Sequence, residues 1–323
     1  MLSQAVIAYL FFGGTGGGGA VVLSVLGLAS PRWAVHPTGG ADKDYSSLFF
    51  PAYVAALGCL ALGLACLCAD LGRLDRILLL LFNPTVSFIS LGVFALLINL
   101  LLTALIAGIW KGVAPGCVRR LSPGGFLVAL RVLLGANLCA GLVVALYTGL
   151  FLASIPAVPL WSTCWLPVVF VVSSLSCGIA LVMVCAQVSN AWVAFTSTIA
   201  RLSRIDLALI GGEALAMLLV IISVHQGADP STATWQAAQD SLGALLIPIP
   251  SSNLVAVLFW TGFVGAGLCF PVLLNLVSLA VRKNPPRILF FMLQAAVLLG
   301  GLIMRFCIVQ AGFQPSLIAI GAL

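Results

Sequence analysis

Eight stretches of mainly apolar residues, at about 5–28, 49–69, 86–110, 126–153, 165–186, 206–224, 254–280 and 288–311, make up most of this chain. Each reaches the roughly 20-residue length that a helix needs to cross the hydrocarbon core of a bilayer. No ordinary water-facing surface can be built from what remains. Of the 323 residues 62% are hydrophobic and 7% charged, whereas a soluble domain is about a quarter charged. The expectation is an all-α integral membrane protein, with residues 1–323 forming a single domain of eight transmembrane helices. The first stretch has no basic residue before it and exceeds a signal-peptide core in length, so it is read as a mature helix.

Lysine and arginine accumulate in cytoplasmic loops, which orients the bundle. The loops after helices one, three, five and seven hold Arg32, Lys43, Lys111, Arg119, Arg120, Arg201, Arg204, Arg282, Lys283 and Arg287, against only Arg73 and Arg76 on the opposite side. Both termini are therefore expected on the non-cytoplasmic side. The net charge of +6 is spread over these short loops rather than gathered in a patch, so it reads as a topology signal and not as a nucleic-acid surface.

The same residues exclude several chemistries. The two histidines, His36 and His225, fall in or beside loops, so no haem is held by paired histidines within the bundle. The ten cysteines form no CxxC pair, and most stand singly in apolar runs as small packing residues. No haem or iron–sulfur cluster is expected in this chain. Gly14, Gly16 and Gly19 match GxGxxG, but a dinucleotide fingerprint needs a preceding strand, and these glycines lie inside an apolar helix. Close helix packing accounts for them better.

Polar residues then stand out. The loop Asp70-Leu-Gly-Arg-Leu-Asp-Arg holds the only arginines on the translocated side, Arg73 and Arg76, interleaved with Asp70 and Asp75. Local ion pairing is one reading and a polar site at the membrane surface is the other. Tyr147 lies two turns before the outer end of helix four, at the depth of that loop. Phenol and guanidinium can hold a quinone carbonyl, and Asp70 or Asp75 can accept a proton when quinol is oxidised. Ionisable residues inside helices are functional candidates by default. At 1.5 Å per residue, Arg131 sits about 8 Å and Glu213 about 11 Å from the cytoplasmic ends of helices four and six, so these two are expected at pairing depth. Arg305, roughly 26 Å along helix eight, is expected to be out of Glu213's reach. With Asn99, these residues sketch a proton path, and the competing account is interhelical hydrogen bonding and snorkelling. The outer loop at about 225–253, with Trp235 and Ile247-Pro-Ile-Pro, reads equally as a partner-docking surface or an interfacial loop.

Taken in order, Tyr9-Leu-Phe-Phe-Gly-Gly-Thr-Gly-Gly-Gly, Asp70-Leu-Gly-Arg-Leu-Asp-Arg, Asn83-Pro-Thr-Val-Ser-Phe-Ile-Ser-Leu-Gly-Val, Tyr147-Thr-Gly-Leu, Ile155-Pro-Ala-Val-Pro-Leu-Trp, Ser173-Ser-Leu-Ser-Cys-Gly and Gly300-Gly-Leu-Ile-Met-Arg-Phe run through nearly the whole chain. On these stretches the sequence resembles the NrfD/polysulfide reductase membrane-subunit family. The resemblance implies a cofactor-free, quinone-reactive anchor of two four-helix bundles in the bacterial cytoplasmic membrane. It also implies a four-cluster ferredoxin-like iron–sulfur subunit and a molybdopterin catalytic subunit as partners, with electrons passing between menaquinol and the nearest cluster. The quinone contacts carried over are Asp70, Arg73 and Tyr147, with Asp75 beside them. Leu74 stands where the family commonly has proline. Helix one shows no histidine or asparagine for the quinone, and Thr15 is taken as its nearest polar contact. The alternative class is a secondary transporter or a proton-translocating subunit working without quinone, marked by helices broken near mid-membrane.

Overall fold

The computed structural model describes residues 4–30, 35–36, 40–71, 88–113, 122–189, 191–192, 194–226, 233–248, 253–281 and 287–312. Helices α1 (Gln4–Ala29), α2 (Lys43–Leu71), α3 (Phe88–Trp110), α4 (Pro123–Ala153), α5 (Leu166–Val188) and α6 (Thr196–Gln226) follow one another, with a two-residue pairing of β1 (Val35–His36) and β2 (Gly40–Ala41) after α1. A shorter helix α7 (Ala233–Leu246) precedes a continuous span made of α8 (Leu254–Leu258), a π-helical segment π1 (Phe259–Cys269) and α9 (Phe270–Val281), and α10 (Arg287–Ala311) ends the fold. Among the described residues eight helices are long and apolar enough to cross a membrane.

Local chemistry sets several helix ends. Ser122 caps α4, its hydroxyl accepting from the Gly125 N–H, and Pro123 takes the first turn, where its missing N–H costs nothing. Asn253 caps α8 by accepting from the Ala256 N–H while its amide donates to the Ala244 and Ile247 carbonyls. Those bonds tie the end of α7 to the next span. The Trp260 indole adds another by donating to the Leu246 carbonyl at 2.9 Å. Residues Ala233–Leu246, within the stretch expected as an outer loop, thus form a packed helix, with Ala238 and Leu245 fully buried.

α1 is the axis of the bundle: 89% of its apolar window is buried, against 28% for α4. Its glycines explain how. A Cβ on Gly16 would stand 2.9 Å from the Leu60 backbone nitrogen on α2, and one on Gly17 would stand 3.0 Å from the Gly141 carbonyl on α4. On Gly18 it would collide with the Ser174 carbonyl on α5. Each glycine admits a different neighbour, the close approach that small residues permit in lipid. Outside, large apolar side chains such as Leu91, Ile98, Leu101 and Leu105 on α3 face away from the bundle.

The core divides into two apolar layers stacked along the helix axes. One contains Tyr9, Leu67, Leu96 and Tyr147, and the other contains Leu23, Tyr53, Ile106 and Leu134. Buried polar side chains collect around their junction, including Thr15, Asn99, Asn137, Ser173, Ser176 and Asp206.

Candidate functional site

At the membrane face where α1 starts and α4 ends, two phenols meet. Tyr9 is five residues into α1 and Tyr147 six residues from the last residue of α4, about 8 and 9 Å along their helices. They are 1% and 2% exposed, and each contributes to the electrostatic environment of the other. The two hydroxyls lie near enough to interact with each other, but neither makes a hydrogen bond of good geometry. Leaving a buried hydroxyl unpaired costs roughly 1–3 kcal/mol, so the pair suits a ligand that brings an acceptor. Gly92 on α3 makes room for the Tyr147 ring, which a Cβ there would overlap.

The other residues expected at this site fall at different places. Asp70 is exposed in the last turn of α2, one turn beyond Leu67, which packs in the same apolar layer as both tyrosines. Arg73, Asp75 and Arg76 lie outside the described residues. Thr15 lies about 9 Å deeper along α1 than Tyr9, fully buried with its hydroxyl next to the Cys177 thiol. Tyr9 is the helix-one residue that the sequence reading passed over. Its depth from the helix start matched that of Tyr147 and was the available signal.

The residues expected along one proton path separate into two networks. The neutral one joins α1, α3 and α4. Thr103 donates to Asn137 at 3.1 Å, with Asn99 at 3.4 Å, and the Asn137 amide donates to the Ser24 hydroxyl at 3.1 Å. The charged one joins α5, α6 and α10. Arg305 is fully buried and donates to the Ser173 and Ser174 hydroxyls at 3.1 and 3.0 Å and to the Gly301 carbonyl at 2.8 Å. Its guanidinium lies 5.3 Å from the centre of the Phe170 ring and 5.9 Å from that of Phe11. Gly14 leaves the space, because a Cβ there would stand 2.9 Å from an Arg305 nitrogen.

Glu213 is buried beside Ser173 and interacts electrostatically with Arg305, contrary to the depth estimate from sequence. The cause is a helix boundary. α6 begins at Thr196 rather than near 206, so Glu213 is about 26 Å along its helix and Arg305 about 27 Å along α10. Arg131 is exposed on the outer surface of α4, away from buried Glu213. The same boundary hid Asp206, which is 2% exposed and accepts from the Ser176 hydroxyl at 2.6 Å. Nearer the starts of α6 and α10, Ser203 donates to Asn275 at 3.3 Å, and Gln294 is buried with both amide atoms unpartnered. Among the described residues no three His, Cys, Asp or Glu side chains gather as a metal site.

Two comparisons bear on this arrangement. The C subunit of polysulfide reductase from Wolinella succinogenes is 27% identical over 319 residues, covering 95% of this protein and 92% of that one. The family model described as polysulphide reductase, NrfD, matches residues 3–315. With eight apolar helices among the described residues and a family match that spans all of them, the chain belongs to the NrfD family of polysulphide reductase membrane subunits.

Proposed function

We propose that this protein is the quinone-reactive membrane anchor of a multi-subunit oxidoreductase, exchanging electrons between menaquinol and an iron–sulfur subunit. The observation that carries the reading is the pair of buried phenols of Tyr9 and Tyr147, which meet beside Gly92 with no well-formed hydrogen bond to the rest of the protein. The two hydroxyls would hold the oxygens of the head group, while the apolar layer around them suits an isoprenoid tail. Menaquinol, when bound, supplies two electrons and two protons. Asp70, at the exposed end of α2, would take a proton toward water, with Asp75 in the same role and Arg73 as a further donor to the head group. Thr15 lies too deep along α1 to share the head group with Tyr9.

The electrons would leave to a four-cluster ferredoxin-like subunit on the face of the tyrosine pair, and from there to a molybdopterin catalytic subunit. That face is taken as the outer side of the bacterial cytoplasmic membrane, with both chain termini on it. The proposed arrangement is of two four-helix bundles, α1 to α4 and the remaining four spans, with α1 against α5 between them. Glu213 and Arg305 are retained as a proton path, Asn99 belongs to a separate neutral network, and Arg131 is left at the lipid boundary.

The test is quinol-linked turnover of the purified complex carrying Tyr147→Phe or Arg73→Leu. Both variants should assemble with the iron–sulfur subunit and fail to oxidise a menaquinol analogue. Turnover that survived both changes would remove the site assignment. Purification without any iron–sulfur protein would instead favour a subunit that moves protons or solutes alone.

A further inference from the structure

α4 and α6 are each 31 residues long, about 46 Å, and so outreach the roughly 30 Å hydrocarbon core of a bilayer. Phe126 and Leu130 of α4 share one apolar layer with Ile199 and Leu202 of α6, which puts the starts of both helices at one face, opposite the tyrosine pair. Arg131 stands about 12 Å from the start of α4, and Arg201 and Arg204 about 8 and 12 Å from the start of α6. All three are exposed at the boundary between acyl chains and head groups. A guanidinium at that depth is costly unless something offsets its charge. Arg204 turns its Nε to the Ala200 carbonyl at 3.2 Å. Among the described residues Arg131 and Arg201 make no hydrogen bond or ion pair. Asp206, the nearest carboxylate along α6, is buried on another face of that helix.

Helical register aims the two arginines at one seam. Arg131 lies about five turns before Gly149, which packs against Pro167 and Phe170 of α5, so it projects from the side of α4 that turns toward α5. Arg201 lies about three turns before Gly212, whose added Cβ would meet Val172 of α5 at 3.7 Å. Between those contacts α5 shows lipid Val168, which is 40% exposed, and Leu175 two turns on. Exposed Leu142 continues the Arg131 face of α4, and exposed Ile205 follows Arg201 by one turn on α6. The result is a groove with apolar walls, charged at one end and floored by α5. α4 and α6 meet chiefly through that floor.

We propose that Arg131 and Arg201 hold the head group of an anionic phospholipid whose acyl chains run along the seam between α4 and α6. The guanidiniums donate N–H bonds to phosphate oxygens, a match of planar donors to an oxyanion that a lysine does not reproduce. Arg204 adds a third positive charge beside them. A zwitterionic lipid would bring a cationic head group toward the same arginines, so the site selects net negative charge. Leu142, Leu175 and Ile205 would face the chains. Bound there, the lipid ties α4 to α6 across a gap that protein side chains leave open. The site lies apart from the tyrosine pair and uses none of its residues.

Native mass spectrometry of the full-length protein in detergent, titrated with phosphatidylglycerol or with phosphatidylcholine, tests the site. Phosphatidylglycerol should stay bound to the parent protein and phosphatidylcholine should not. Arg131→Gln and Arg201→Gln should each weaken phosphatidylglycerol binding roughly fivefold, and together about twenty-fivefold. Lys111→Gln removes the same charge from the same face, from a side chain 5.2 Å over the Phe50 ring, and should leave binding unchanged. Equal binding by parent and double variant would overturn the site. So would an equal loss in Lys111→Gln, or phosphatidylcholine held as firmly as phosphatidylglycerol. If the double variant does not insert, the single variants decide: weaker binding in both supports the site, and parent-like binding in either removes it.

Discussion

Arg305 and Glu213 approach the same hydroxyl, that of Ser173, from two different helices. Removing one partner of such a buried pair strands the other charge, at a cost of about 3–5 kcal/mol. Arg305→Met and Glu213→Gln should each lower the thermal unfolding temperature of the solubilised protein. Arg305→Met combined with Glu213→Met should recover most of the loss, because no charge is then stranded. A double-mutant cycle by thermal unfolding measures the coupling.

Tyr9 and Tyr147 make an opposite prediction for stability and activity. Each phenylalanine variant discards a buried hydroxyl that makes no hydrogen bond of good geometry, so the ligand-free protein should unfold no earlier than the parent and can gain up to about 1–3 kcal/mol. Menaquinol binding should nevertheless weaken by roughly three- to tenfold for each hydrogen bond lost, and neither Tyr147→Phe nor the double variant should turn over. Thermal unfolding without quinone, set beside the Kd for a menaquinol analogue, separates the two effects.

Gly92 tests the same site from α3. Gly92→Ala leaves both hydroxyls in place but drives a methyl into the Tyr147 ring. Quinol turnover should fall as in Tyr147→Phe, with membrane insertion retained, as measured by activity per inserted protein.

The glycines of α1 predict a graded packing series. Gly18→Ala places a Cβ on the Ser174 carbonyl and should destabilise by at least the 1–3 kcal/mol typical of overpacking. Gly58→Ala on α2 meets nothing within 4 Å and should be neutral or stabilising by about 0.5–1 kcal/mol. Thermal unfolding of the two variants side by side checks the contrast.

The eight spans were legible in the sequence because lipid demands about 20 apolar residues for each crossing, and that rule needs no knowledge of neighbours. Helix ends were less legible. The amphipathic start of α6, Thr196 to Ile205, carries Arg201 and Arg204 and reads as a loop by hydropathy alone. That one boundary displaced Glu213 in depth, removed Asp206 from view and suggested Arg131 in place of Arg305. Tyr147 was legible as a lone phenol near a helix end. Tyr9 was not, because which side of α1 faces α4 is decided by its glycines in three dimensions, and an apolar helix with small residues all round shows no preferred face.

The glycine axis also constrains how the protein can be made. α1 is the least apolar of the eight spans, yet it is the one most enclosed by the others. During synthesis it precedes α4 and α5, whose backbones cover Gly17 and Gly18. Until they emerge, its bare peptide groups have only lipid, the translocation machinery, α2 and α3 for company. Assembly must therefore close inward around a span already in place, and slow delivery of α5 would prolong exposure of the segment on which α2, α4 and α5 are seated.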